Sequence, residues 1–209
     1  MKIIDTGGIT YLEILKEGSD WYCGTDYSCG DLYEAEEVFL AGGSFTPNRV
    51  VFVHHPDGTV YEPVKAGEGE YFGRPIMSGG NIYILIVNFP EGKIRILKWD
   101  EEVSVEAVIP LSEVKDTYNL LLKDEPLMLT RQGSEDVFQI IWPEKTEFSM
   151  EPSEAFIYRK EDKLYFSKWY EDPDYREEFN IRKYPDGELI ERIDGSIFIA
   201  PDGESWILR

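Results

Sequence analysis

Two cysteines and two histidines in 209 residues leave little material for metal or redox chemistry. Two cysteines do not build a disulfide framework, and two adjacent histidines offer no zinc-ligand spacing. His54-His55 runs into Pro56-Asp57-Gly58, so it reads as a strand end with the two rings on opposite faces. Cys23 and Cys29 read as small packed hydrophobes. No nucleophile elbow, phosphate loop or Ser/His/Asp order occurs, so no cofactor is expected.

Positive charge is also scarce. The chain has 21 Lys and Arg against 41 Asp and Glu, a net charge of −20 that divides as −7 over residues 1–65, −4 over 66–114 and −9 over 115–209. A field this acidic repels phosphate backbones and anionic lipid, so neither nucleic acid nor a membrane is an expected partner. It admits a basic protein, a cation or a neutral ligand. No apolar run approaches the ~20 residues of a membrane helix. The opening MKIIDTGGITYLEILKEG has neither the apolar core nor the small-residue cleavage site of a secretory leader, so the expected location is the cytoplasm.

Long helices are missing too. The two short candidates are Asp31 to Leu40 and Leu111 to Asp116, and the first reads as a strand by its position in the pattern described below. What is present is aromatic and β-forming: 13 Tyr, 11 Phe and 5 Trp, enough for a well-packed all-β core. Tyr71 to Leu111 shows the pattern best. An apolar run meets Gly79-Gly80-Asn81; Ile82 to Phe89 follows, almost wholly apolar; Pro90-Glu91-Gly92 turns the chain; Lys93 to Trp99 alternates; and Ser104 to Leu111 ends with a polar edge. Similar turns recur at Pro56-Asp57-Gly58, Pro185-Asp186-Gly187 and Pro201-Asp202-Gly203.

The unit repeats. Trp21-Tyr22-Cys23-Gly24 through Ser28-Cys29-Gly30-Asp31-Leu32-Tyr33 matches Tyr71-Phe72-Gly73 through Ser78-Gly79-Gly80-Asn81-Ile82-Tyr83, with Gly30 and Gly80 as anchors. Weaker copies begin at Tyr118 and Ala155. Four units, 21–64, 71–111, 118–151 and 155–193, leave 196–209 and 2–16 to complete a fifth from both termini. Dividing 209 residues by five gives about 42 each, within the roughly 40–50 of propeller blades. In architecture the chain therefore resembles a five-bladed β-propeller, one domain of four-stranded antiparallel blades closed by N- and C-terminal strands. The alternative is a two-sheet β-sandwich.

The resemblance implies binding at a channel mouth lined by the inner strands 21–28, 71–78, 118–123, 155–160 and 196–200. Polar residues there are Asp26, Asp31, Arg74, Asn81, Asn119, Arg159 and Asp202. Five-bladed propellers include glycoside hydrolases, so Asp26, Asp31 and Glu125 are the candidate catalytic acids, a pair of which would have to flank a sugar bond. The same Asp and Asn residues are equally suited to capping turns. On a strand, Glu34 and Glu36 would share a face roughly 6.5–7 Å apart, the candidate cation site. Trp169, Tyr170, Tyr175 and Arg176, around the Asp172-Pro173-Asp174 loop, have the composition of a recognition patch and join Arg74 as candidate binding residues. The function expected is non-enzymatic binding of a protein partner through an acidic, aromatic face. The alternative is a carbohydrate-binding or glycoside-hydrolase-like propeller.

Overall fold

A computed structural model describes residues 1–200 and 204–209. The Pro201-Asp202-Gly203 turn, and with it the candidate Asp202, lies outside the described residues. The fold is all-β with antiparallel sheets and one α-helix among the described residues. It divides into two compact units, Met1–Asp124 and Glu125–Arg209.

The first unit holds β1 (Glu13–Ile14), β2 (Trp21–Thr25), α1 (Leu32–Leu40), β3 (Val50–His54) and β4 (Val60–Tyr61), with sheet order β1-β2-β3-β4. Next come β5 (Glu70–Phe72), β6 (Ile76–Ser78), β7 (Asn81–Asn88), β8 (Lys93–Trp99) and β9 (Val103–Pro110), in the order β5-β7-β8-β9. A 3-10 turn at Leu111–Glu113 and β10 (Leu120–Lys123) finish the unit. Ser78 pairs with Asn81 across Gly79 and Gly80, whose φ values of 55° and 79° meet the need of a tight two-residue hairpin for two left-handed residues. The Gly73 N–H still donates to the Leu85 carbonyl; the chain then leaves β7 over Arg74-Pro75 and rejoins it at Ile76, so the expected inner strand 71–78 is two short strands, β5 and β6, on one edge of β7.

The apolar run in β7 is buried on both faces. Ile84, Leu85, Ile86 and Val87 are at most 1% exposed, which is why this strand carries no polar alternation. Ile82, Ile84 and Ile86 pack with Leu97 and Trp99 of β8 and with Cys23, Val50 and Phe52 of the first sheet. At the far edge, β9 is wet, and Val103, Val105 and Val108 stand exposed.

The second unit contains β11 (Met128–Gly133), β12 (Val137–Trp142) and β13 (Thr146–Ser149), paired in that order. A four-stranded sheet follows: β14 (Glu154–Lys160), β15 (Lys163–Tyr170), β16 (Arg176–Lys183) and β17 (Leu189–Asp194). The hairpin β18 (Ser196–Ile199) and β19 (Ser205–Leu208) ends the chain. Its core joins Met128, Phe138, Ile140 and Met150 to Phe156, Leu164 and Phe166. A buried ion pair sits beside it: the Arg182 guanidinium grips the Glu154 carboxylate at 2.8 and 3.1 Å, and the Asn180 amide donates to the same carboxylate at 2.7 Å.

One expected strand is a helix. Asp31 to Leu40 does not extend as its place in the repeat suggested; Asp31 and Glu34 form a reciprocal capping box, and α1 begins there. The first sheet instead gains β1, Glu13 pairing with Cys23 and Ile14 with Tyr22. The rest of 2–16 forms no strand, and β18 and β19 make a two-stranded sheet of their own, so among the described residues 2–16 and 196–209 do not complete the expected fifth four-stranded unit. Leu111 to Asp116 is helical only as the single 3-10 turn.

Two polar substitutions test how these edges are held. Asn48, 1% exposed, donates to the Phe72 carbonyl (3.0 Å) and accepts from its N–H (2.7 Å), completing the open side of β5. Asn48→Ala strands both groups, and denaturant unfolding should show a loss of about 2–4 kcal/mol. Glu154→Ala leaves the Arg182 charge buried and should cost about 3–5 kcal/mol, most of it recovered in the double variant Glu154→Leu/Arg182→Met.

Candidate functional site

The first unit carries a cleft of about 160 Å³ where the end of β2, the start of α1, the Phe72-Gly73-Arg74 break and residues 117–121 meet. Local chemistry builds each wall. Asp31 Oδ1 accepts the Glu34 N–H at 2.9 Å, and Glu34 Oε2 accepts the Asp31 N–H at 2.7 Å, so α1 starts at a defined point. The buried Tyr71 hydroxyl accepts from the Cys29 N–H (3.0 Å) and donates to the Gly30 carbonyl (2.7 Å), which pins the loop entering the helix. Burial raises this phenol above its usual range, so it stays a neutral donor. On the other wall, Glu36 is 7% exposed and accepts from the Thr117 N–H (2.6 Å) and hydroxyl (2.7 Å).

Tyr27 and Asn119 line this cleft with left-handed backbones, φ 44° and 48°. Tyr27 is 55% exposed. The burial it does have, with the Glu13 carboxylate nearby, raises its phenol, while Arg74 acts the other way. Arg74 stands at the rim, with Nη2 2.8 Å from Glu13 Oε2.

Among the residues proposed from sequence, Asp31, Arg74 and Asn119 come together in the cleft. Asp26 does not line it; its Oδ1 accepts the Arg49 N–H at 2.9 Å. Glu125 is exposed in the second unit. The Asn81 amide donates to the Gly79 carbonyl within its turn, and Arg159 stacks 3.5 Å above the Tyr184 ring. Glu34 and Glu36 do not share a strand face. Two positions apart on a helix they diverge, Glu34 into the cap and Glu36 into the buried bond with Thr117, so the basis for a cation site there is gone. Among the described residues no three His, Cys, Asp or Glu are grouped to hold a metal ion.

In the second unit the aromatic patch splits over two faces. Trp169, 43% exposed, lies opposite Glu177, and the Tyr175 hydroxyl donates to that same carboxylate. Hydrogen bonds from the Ser196 and Tyr175 hydroxyls hold Glu177 below the usual carboxylate range. Tyr170 points the other way, with the Arg176 guanidinium 3.9 Å and the Lys168 ammonium 4.7 Å from its ring. On the terminal hairpin, Phe198 and Trp206 are 45% and 49% exposed, their rings 5.8 Å apart.

No protein-family model matches this chain. A comparison with curated proteins finds no significant match either.

Sequence reasoning pointed to Asp31, Arg74 and Asn119 but not to Tyr27, Tyr33 or Thr117, which complete the same cleft. Nothing in the local pattern marks a tyrosine for a left-handed backbone. His54 ends β3 as expected, with Nδ1 3.1 Å from Asp57 Oδ2.

Both cysteines are free thiols. Burial, and then the Glu13 carboxylate, push Cys23 up from 9.0 to about 12. The folded state therefore favours the thiol, a contribution complete below pH 9.0 and lost as pH rises toward 12. At neutral pH iodoacetamide should label only the half-buried Cys29 of the native chain, and both thiols in denaturant. Equal labelling of the two native thiols would contradict this burial.

Proposed function

We propose that this chain is a non-enzymatic binding protein that recognises a basic protein partner through the acidic, aromatic surface of its second unit. The observation that carries the reading is the exposure of Trp169 and Tyr175, at 43% and 67%, beside Glu171, Asp172, Asp174 and Glu177. Trp169 lies near the end of β15 and Tyr175 in the loop that follows, and large exposed aromatic rings of this kind are the side chains that carry binding energy at interfaces. The acidic rim supplies steering and selects against acidic partners.

Glycoside hydrolysis needs two carboxyl groups facing one another across a pocket, one of them with a raised pKa. Asp26 and Asp31 are exposed and each accepts a backbone N–H, which supports turn and cap roles over acid–base work. For the overall architecture we favour the five-bladed ring. Successive antiparallel sheets of strands adjacent in sequence and the recurring turns support it, with the β18–β19 hairpin as the last sheet in place of the expected blade shared by 2–16 and 196–209. No helix among the described residues is long and apolar enough to cross a membrane. Two unpaired cysteines suit a reducing compartment such as the cytoplasm.

The test compares capture by the immobilised chain with capture by Trp169→Ala/Tyr175→Ala, using quantitative mass spectrometry at low and high salt. The expected result is a set of basic proteins retained by the parent, released by salt and absent from the variant, with the melting temperature unchanged. Identical capture by both chains would sink the proposal.

A further inference from the structure

We infer that the cleft beside the start of α1 binds a single neutral sugar ring. This site belongs to the first unit and does not depend on the partner surface proposed for the second. Its volume, about 160 Å³, lies below the roughly 300–1,000 Å³ of sites for drug-sized ligands and suits one ring. The lining offers what a polyol uses. The Asp31 carboxylate accepts, Arg74 and the Tyr27 phenol donate, and the Tyr27 and Tyr33 rings supply apolar faces.

Charge selects the class. Arg74 is balanced by Glu13 at 2.8 Å, and Asp31 adds a negative charge, so an anion finds no net attraction here. A bare cation finds no group of three acidic, His or Cys ligands among the described residues. A neutral, hydroxyl-rich ligand meets neither obstacle.

The backbone adds an independent argument. Five non-glycine residues among those described have positive φ, and two of them, Tyr27 and Asn119, meet in this one cleft. Asn tolerates the left-handed region; a tyrosine there is strained by about 1–2 kcal/mol. The Tyr27 side chain does not repay that cost by burial, since it is 55% exposed. Local strain that holds a half-exposed ring over a cleft is the pattern of a ligand clamp.

The test is ligand titration of the full chain followed by amide NMR shifts. The probes are glucose, galactose, mannose and N-acetylglucosamine, each at about 50 mM, enough to load a site of millimolar Kd. At least one should shift amides within 25–33, 73–74 and 117–121. Tyr27→Gly should keep or raise the melting temperature, because glycine adopts this φ without strain, yet weaken binding at least about tenfold. If Tyr27→Gly does not fold, Arg74→Gln, altered at the exposed rim, carries the same expectation for binding. Silence from all four sugars, shifts confined to other regions, or unchanged affinity in the folded variant would overturn the inference.

Discussion

The first unit depends on the reciprocal hydrogen bonds between Asp31 and Glu34. They start α1 in a stretch whose place in the repeat suggested a strand. With 32–40 helical, β4 lies at one edge of the first sheet, while β1 adds to the other edge by pairing with β2. The helix also places Glu36 where it fastens Thr117, a residue 81 positions away, and that bond sets one wall of the cleft. A cap of this kind contributes only about 1 kcal/mol. It fixes where the helix begins, and the burial of Leu32, Ala35 and Glu36 holds the helix in place.

Buried polar groups do comparable work elsewhere. Asn48 acts as a one-residue strand for β5, and the Tyr71 hydroxyl closes two backbone groups of the loop at Cys29 and Gly30. Glu154 gathers Asn180 and Arg182 on one carboxylate. Each group is costly alone and tolerable only when satisfied, so each requires a single arrangement of its neighbours. On the surface, Arg49 holds Glu62 below the usual carboxylate range. That contribution is present above the ordinary carboxylate pKa and fades as pH falls through the lowered value.

The strands were largely legible. Ile82 to Phe89 reads as an almost wholly apolar strand, Lys93 to Trp99 as an alternating one, and Gly79-Gly80 as the turn that leads into the first of them. The helix was obscured because Glu34, Glu36 and Glu37 were aligned with aliphatic positions of another unit; the capping pattern Asp-x-x-Glu was the stronger local signal. Three residues of the cleft's lining, Asp31, Arg74 and Asn119, were visible. Tyr27 and Thr117 were not, since neither a left-handed φ nor a bond across 81 residues leaves a mark in local pattern.

The all-β class, turns such as Gly79-Gly80 and Pro185-Asp186-Gly187, and strands such as those at 81–88 and 93–99 follow from the sequence, because side-chain alternation and turn chemistry act within a few residues. Which strands share an edge is set by long-range packing: β1 on β2, and both β5 and β6 on β7. It also decided that Tyr27, Asp31, Arg74 and Asn119 face one cleft. Such meetings depend on packing between distant segments, where the burial of Phe52, Ile84 and Trp99 outweighs any local preference.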